Sequence, residues 1–187
     1  MKLGMQQHRT RLAAIAAAGV ALFFGVVLAL SLAQPGYDSQ NQLMSELALG
    51  RHGQFLVIAF LALAAATGAV SLSLFSFGAP VAVGLLLAIA ATSFVGAGLV
   101  SLGASIEIHV FFVAAAFILC GLSMCLLPIK VGIFSGWRDR AVCWGSFAAM
   151  LSSTALNGVW LSAGVAQRLA ALALLVWLVL VARQLSR

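Results

Sequence analysis

Residues 54–76 read QFLVIAFLALAAATGAVSLSLFS, a stretch without a single charged side chain. An α-helix needs about 20 apolar residues to cross about 30 Å of hydrocarbon, because each residue adds about 1.5 Å. Further apolar stretches predict five more spans, at 12–33, 81–102, 109–128, 141–163 and 166–183. We therefore predict an all-α integral membrane protein, in which residues 1–187 form one compact bundle of six transmembrane helices.

The composition supports this fold. The chain is 64% hydrophobic and only 7% charged, whereas soluble domains carry about 25% charged residues. The predicted spans are rich in Ala, Gly and Ser, whose small side chains let membrane helices pack closely. The first span follows basic residues, as a signal peptide would, but its apolar stretch exceeds the usual length of roughly 7–15 residues. We therefore expect it to be retained as a helix.

The basic residues predict the orientation of the bundle. With the N-terminus in the cytoplasm, eight of the ten basic residues lie inside and only Arg51 and Arg168 lie outside, which agrees with the positive-inside rule. We therefore expect both termini in the cytoplasm. The net charge of +6 is spread over three short inner segments, so it favours membrane lipids as partners and not nucleic acid. A partner membrane subunit or a second copy of the chain is the other partner we consider.

The longest external segment runs from Gln34 to Gly53. We interpret Ser39–Leu49 as a short amphipathic external helix after the first span. Asp38 or Ser39 can cap its start, and Gly50 stands where a C-terminal cap is wanted. With its apolar residues on one face, such a helix would lie along the membrane surface or over the mouth of the bundle.

Most ionisable side chains other than the inner basic residues gather at the predicted outer end: Asp38, Glu46, Arg51, His52, Glu107, His109 and Arg168. The centres of the spans carry none, since an ionisable group there costs about 2.5–3.5 kcal/mol. Pumps and ion-coupled transporters usually carry such groups, so their absence argues against active transport. Asn157, in the outer half of the predicted fifth span, is either an interhelical hydrogen-bonding residue or the floor of an outward-facing pocket.

Arg168 opens the predicted sixth span, where the positive end of the helix dipole disfavours a cation. A guanidinium cannot deprotonate, so it needs acceptors at the membrane edge. We predict a hydrogen-bonded pair between Arg168 and Glu46 or Asp38. We also expect the external polar side chains to converge around the axis of the bundle.

Metal and haem chemistry at this end stay open as alternatives. Glu107 and His109, with Glu46 or Asp38, could form a carboxylate and imidazole site for a divalent metal. His52 and His109 lie at the outer ends of predicted helices two and four, so they could ligate one haem axially. We nevertheless expect no bound metal or other cofactor, because neither pattern has a specific spacing.

Hydrolysis is a further alternative. Ser45 and His109 could act as nucleophile and base, but no nucleophile elbow surrounds Ser45. The three cysteines, Cys120, Cys125 and Cys143, lie in or beside predicted spans without a C-x-x-C motif, so we interpret them as packing residues.

Several short motifs point to a family. Tyr37-Asp38, Asn41 and Ser45-Glu46-Leu47 after the first span resemble an element of an uncharacterised family of bacterial and archaeal membrane proteins, catalogued as domain of unknown function 998. His109 at the start of helix four is similar to that family's helix-four entry. Gly164 with Gln167-Arg168 resembles its last helix, where an acidic residue often stands in place of Gln167. The resemblance implies a helical bundle in a prokaryotic cytoplasmic membrane and no established activity.

The residues and the resemblance together define our candidate ligand-binding set: Tyr37, Asp38, Asn41, Ser45, Glu46, Glu107, His109, Asn157 and Arg168. The first hypothesis is a non-catalytic membrane module that binds a lipid, a hydrophobic small molecule or a partner subunit at this outward-facing cluster. The second is a membrane enzyme that acts on a lipid or isoprenoid head group at the outer leaflet. Such an enzyme would use Glu46, Glu107 and His109, with or without a metal.

Overall fold

The computed structural model describes residues 2–187. Within this range the chain forms six long helices, joined by short 3-10 helices and turns, so the predicted all-α class is confirmed. The long helices are α1 Lys2–Ala33, α2 Leu56–Phe77, α3 Val81–Leu99, α4 Ile106–Lys130, α5 Trp137–Ala155 and α6 Ala163–Leu185.

The helices form a closed ring of neighbours. Each packs against the next, and α6 also packs against α1 and α2. Gly19 of α1 shows how close the backbones come, because a Cβ there would lie 2.5 Å from the carbonyl oxygen of Ala62 on α2. The turn between α2 and α3 uses Gly78 at φ +77°, a left-handed conformation that suits glycine, followed by Pro80 at the start of α3. We call the end of the bundle that carries residues 34–53 the loop end.

Five of the helices are long and apolar enough to cross a membrane, so the chain is a helical membrane protein. They are α1, α2, α3, α4 and α6. The exception is α5, which has 19 residues and carries Arg138, Asp139 and Arg140 in its first turn. A sixth span therefore stays a prediction.

The predicted bounds of the fifth span, 141–163, are wrong. The helix begins earlier, at Trp137, and ends at Ala155. It is followed by a turn in which the Gly158 N–H donates to the carbonyl oxygen of Leu161 at 2.8 Å, with Gly158 at φ +75°. This left-handed conformation suits glycine and does not continue a helix. Asn157 lies in the turn, exposed and outside the helix, so the prediction that it lies inside a span is wrong.

The fourth helix extends beyond its predicted bounds of 109–128, since α4 covers Ile106–Lys130 with Pro128 inside it. Proline has no N–H, so the hydrogen bond that this position would donate is absent. The helix ends where Val131 takes an extended conformation while its N–H still donates to Leu127 at 3.0 Å.

The predicted external helix Ser39–Leu49 is only partly present. Residues 38–42 form turns, and a 3-10 helix covers Met44–Leu49. The later start has a local cause: the Glu46 carboxylate accepts the Leu43 N–H at 3.0 Å, which caps the backbone at Leu43. Leu47 is fully buried, so this short helix is packed over the loop end of the bundle.

Candidate functional site

Arg168 lies in the first turns of α6 and is held by neutral acceptors. Its Nη1 donates to the carbonyl oxygens of Gln42 at 3.1 Å and Gly164 at 2.9 Å, and its Nη2 donates to the Tyr37 hydroxyl at 2.6 Å. The guanidinium carbon lies 5.7 Å from the centre of the Tyr37 ring. The predicted pair with Glu46 or Asp38 is therefore wrong, because backbone carbonyls and a phenol take the place of a carboxylate.

Gly164 explains why the loop supplies those carbonyls. A Cβ at this position would lie 2.5 to 2.6 Å from the carbonyl oxygens of Ser39, Gln40 and Gln42. Because glycine has no Cβ, the loop backbone can rest directly on the start of α6. The carbonyl oxygen of Gln40 accepts both the Val165 N–H at 3.1 Å and the Ser162 hydroxyl at 2.6 Å.

These contacts resolve the conflict of a cation at a helix N-terminus. The first N–H groups of a helix lack partners and carry partial positive charge. Loop carbonyls bring partial negative charge to the same place, so they satisfy a helix N–H and the guanidinium together. Gln167 adds a further link, since its side-chain oxygen accepts the Met44 N–H at 2.6 Å.

Asp38 is exposed and organises the turn that follows it. Its carboxylate accepts the Asn41 side-chain amide at 2.6 Å, the Gln40 N–H at 2.9 Å and the Asn41 N–H at 3.4 Å. These hydrogen bonds, the Asn41 side chain foremost, hold the pKa of Asp38 below its usual value, and Arg168 contributes in the same direction. Asp38 therefore carries a negative charge at neutral pH.

Gln42 connects the backbone of Asp38 and the carboxylate of Glu46 to Arg168. Its side-chain oxygen accepts the Asp38 N–H at 2.7 Å, its side-chain nitrogen donates to Glu46 at 3.4 Å, and its carbonyl accepts from Arg168. We call this set the Arg168 network: Tyr37, Asp38, Asn41, Gln42, Glu46 and Arg168. Sequence reasoning missed Gln42 and gave Gln167 no role of its own. The only signal for Gln42 was its position four residues before Glu46.

Tyr37 is half-buried, and its hydroxyl both accepts and donates a hydrogen bond in the network. Its hydroxyl accepts from Arg168 and donates to the carbonyl oxygen of Leu43 at 3.0 Å. Burial raises the pKa of Tyr37, while the hydrogen bond from Arg168 acts against that shift. Tyr37 is therefore a neutral phenol at neutral pH, and it adds no charge beside the guanidinium.

His109 belongs to a different environment, between α4 and the end of α3. The side chain is 1% exposed, and its Nδ1 lies 3.0 Å from the carbonyl oxygen of Ala97 and 2.9 Å from that of Val100. Both partners are acceptors, so Nδ1 carries the proton. These carbonyls belong to the last turn of α3 and to Val100, the residue that follows it, where C=O groups have no helical partner. His109 thus caps α3 from the neighbouring helix.

The other nitrogen of His109 has no hydrogen-bond partner within residues 2–187. The ring makes an edge contact with Phe60, with 5.4 Å between ring centres. The side chain borders a cavity of about 310 Å³ at the loop end, together with Gln54 and Ser101.

The remaining predicted residues do not join either environment. Glu107 and Asn157 are exposed, and Glu107 accepts only the hydroxyl of Ser105, at 3.3 Å. Ser45 is buried and borders an interior cavity of about 30 Å³, whereas His109 borders the larger one, although Leu56 and Phe60 line both. The proposed nucleophile and base therefore face different cavities.

The metal and haem alternatives also lack a common site. In the part of the chain that the structure describes, no three His, Cys, Asp or Glu side chains lie together where they could hold a metal ion. Glu46, Glu107 and His109 are thus not a metal site. His52 is exposed between two 3-10 helices, whereas His109 is buried against α3, so the two side chains have different surroundings.

An apolar groove runs between α1 and α6 and ends at the Arg168 network. Its volume is about 400 Å³. Phe23, Val27, Leu28 and Leu32 line it on α1, and Ala171, Leu172 and Leu175 line it on α6. Tyr37, Ser39 and Arg168 border its loop end. We call it the α1–α6 groove.

A family model described as "Protein of unknown function (DUF998)" matches residues 17–184, which is nearly the whole chain. The family resemblance seen in the motifs is thereby confirmed. Neither a curated protein nor a solved structure matches the chain.

Proposed function

The chain belongs to this family of proteins of unknown function, and on that premise we propose that it is a non-catalytic membrane module that binds a lipid-like amphiphile in the α1–α6 groove. The observation that carries the proposal is the polarity of the groove. Its walls are apolar along both helices, and its loop end is bordered by a guanidinium held only by neutral acceptors. An amphiphile has the same order of polarity, with an apolar chain that ends in a polar head.

We further propose that α5 is the sixth span. The fourth helix ends at Lys130, and α6 begins at Ala163 at the loop end, so residues 131–162 must return along the length of the bundle. With 19 residues, α5 is about 28 Å long at 1.5 Å per residue. It packs against both α4 and α6.

The eight-to-two distribution of basic residues supports cytoplasmic termini and an outward-facing loop end. Together with the family resemblance it supports the cytoplasmic membrane of a prokaryote. Cysteines introduced at position 2 or 187 should resist an impermeant thiol reagent added to sealed cells. Labelling at either position would reverse the orientation.

The size of the groove favours an amphiphile over a partner helix. Sites for small molecules have volumes of roughly 300–1,000 Å³, and this groove, at about 400 Å³, is at the lower end of that range. The enzyme alternative has weaker support, because Glu107 is exposed on α4, Glu46 belongs to the loop and His109 is enclosed beside α3.

The proposal is tested with a neutral monoacylglycerol that carries a photoreactive group in its chain. After illumination in nanodiscs, peptides that cover residues 23–32 and 168–175 should carry most of the label. Leu28→Trp, which fills the groove, should reduce this labelling several-fold.

Leu22→Trp is the matched control, because Leu22 lies on the same helix, is 49% exposed where Leu28 is 47% exposed, and does not line the groove. Its labelling should equal that of the wild type. Label spread evenly over the lipid-facing sides of α3 and α4 would contradict a specific groove site.

A further inference from the structure

Arg168 keeps two hydrogen-bond donors that no residue of its network uses. A guanidinium has five N–H groups. Two on Nη1 and one on Nη2 donate to Gln42, Gly164 and Tyr37, so within the described residues Nε–H and one Nη2–H are left. Charged acceptors such as phosphate and carboxylate oxygens form the strongest hydrogen bonds with guanidinium donors. The part of the head group that contacts Arg168, next to the apolar chain, is therefore negatively charged.

Asp38 adds a charge of opposite sign just beyond the groove. It is the chain neighbour of Tyr37, yet it is exposed and does not line the groove as Tyr37, Ser39 and Arg168 do. Its carboxylate accepts three hydrogen bonds, all from neutral amides. A carboxylate has about four acceptor positions, so roughly one is left for a further donor.

The charges at the mouth of the groove argue against a simple anion. Arg168 is accompanied by Asp38 and Glu46, which are both acidic, and Gln42 links all three. Glu46 is half-buried and its oxygens face the Leu43 N–H and the Gln42 amide within the loop. Two carboxylates beside one guanidinium would repel a head group with net negative charge, and a second, cationic group on the ligand removes that penalty.

We propose that the ligand is a single-chain zwitterionic phospholipid of the phosphoethanolamine type. Its phosphate binds the two remaining donors of Arg168, its ammonium faces Asp38, and its chain lies in the α1–α6 groove. The order along the protein is apolar groove, cation, anion, and the order along such a lipid is apolar chain, anion, cation. This inference rests on the proposed function, because the chain must occupy the groove.

The dimensions of the groove select a single chain of moderate length. Its lining on α1 extends from Phe23 to Leu32, a rise of nine steps, or about 13 Å at 1.5 Å each. The volume of about 400 Å³ is small for a membrane ligand with two chains.

The experiment compares three ligands with the same lauroyl chain, titrated in non-ionic detergent and measured by native mass spectrometry. The ligands are lysophosphatidylethanolamine, lysophosphatidylglycerol and the uncharged monoacylglycerol. The wild type should bind the ethanolamine lipid most tightly and the monoacylglycerol most weakly, about tenfold apart, which corresponds to about 1.4 kcal/mol. Free phosphoethanolamine should not compete at the same concentration, because it lacks the chain.

Two substitutions separate the two charges of the head group. Arg168→Gln should weaken both phospholipids about tenfold and leave the monoacylglycerol unchanged. Asp38→Asn should weaken only the ethanolamine lipid, about threefold, since an exposed ion pair contributes little. Arg51→Gln and Glu107→Gln are the matched controls, because both residues are exposed and lie outside the network.

Each outcome decides a different point. Equal binding of all three lipids would overturn the head-group assignment and leave the groove proposal intact. Binding of none of them would contradict the proposed function itself. Competition by free phosphoethanolamine would point to a soluble ligand and reject a lipid. If Arg168→Gln does not fold, the ranking of the three lipids by the wild type and the effect of Asp38→Asn still test the head-group assignment.

Discussion

Arg168 and His109 both lie in the first turns of a helix at the loop end, yet the structure uses them in opposite ways. His109 donates to the free carbonyls at the end of α3 and is 1% exposed, so its donor is consumed by capping. Arg168 stands at the N-terminus of its own helix, where carbonyls must come from the loop, and it still borders an open groove. Arg168 therefore keeps free N–H donors beside the groove, whereas His109 keeps only its Nε2 acceptor, beside a different cavity.

In the comparison of Arg168 with His109, the largest loss of stability should come from Arg168→Ala. This change removes hydrogen bonds to Gln42, Gly164 and Tyr37, and hydrogen bonds to charged groups contribute about 1.5–3 kcal/mol each when well formed. Because the site is half-exposed, we expect a total loss of about 3 kcal/mol in the free energy of unfolding. Denaturant unfolding in detergent micelles measures it.

Arg51→Ala is the control for that experiment, since Arg51 is exposed on the same loop. Its effect should lie within about 0.5 kcal/mol. Equal and mild losses for both substitutions would show that Arg168 does not hold the loop on α6.

A smaller effect is expected from His109→Leu, which leaves the carbonyls of Ala97 and Val100 without their shared donor. Burying an unsatisfied group costs about 1–3 kcal/mol, so we expect a loss of about 2 kcal/mol in unfolding free energy. Labelling of the groove by the photoreactive monoacylglycerol should stay at the wild-type level.

His52→Asn serves as the comparison, because His52 is exposed, its side chain caps nothing, and asparagine tolerates its left-handed backbone at φ +65°. It should change the unfolding free energy by less than about 0.5 kcal/mol. If His109→Leu lost the groove labelling but kept its stability, the role of His109 would be ligand binding and not capping of α3.

The smallest expected effect is on the stability of the protein at acid pH, through Asp38. The pKa of Asp38 is lower in the folded protein than its usual value of 3.8, so its contribution to stability is present above pH 3.8 and is lost as pH falls through the folded value. The unfolding midpoint measured from pH 6 down to pH 3 should therefore fall slightly more steeply at its acid end for the wild type than for Asp38→Asn. Parallel curves would show that the hydrogen bonds to Asn41 and Gln40 add nothing to folding.

Several features of the candidate site were readable in advance, and others were not. The carboxylate of Asp38 before a polar turn, and Glu46 three residues after Leu43, are local capping patterns that short sequence spacing reveals. Two partners of Arg168, Tyr37 and Gln42, lie more than 120 residues away along the chain. Gln42 and Gly164 contribute backbone carbonyls, which have no residue type to recognise. The sequence therefore suggested a carboxylate partner, since only side chains can be read from it.

The fifth helix shows the same division. Its apolar residues continue past Ala155 to Leu161, so hydropathy alone extended the span, whereas Asn157-Gly158 takes a turn that ends the helix. In a sequence, a glycine is compatible with either a helix or a turn, and only the surrounding packing decides which of the two structures forms.

The sequence by itself determined the all-α membrane class and the family, because each depends on long apolar runs or on local motifs. Only the tertiary structure decided that Arg168 and His109 have separate environments, that Gly164 admits the loop backbone, and that a groove opens between α1 and α6. The physical reason is that these features arise from contacts between backbones far apart in the chain. Hydropathy and spacing report what a residue prefers, whereas packing decides which of its hydrogen bonds are left free.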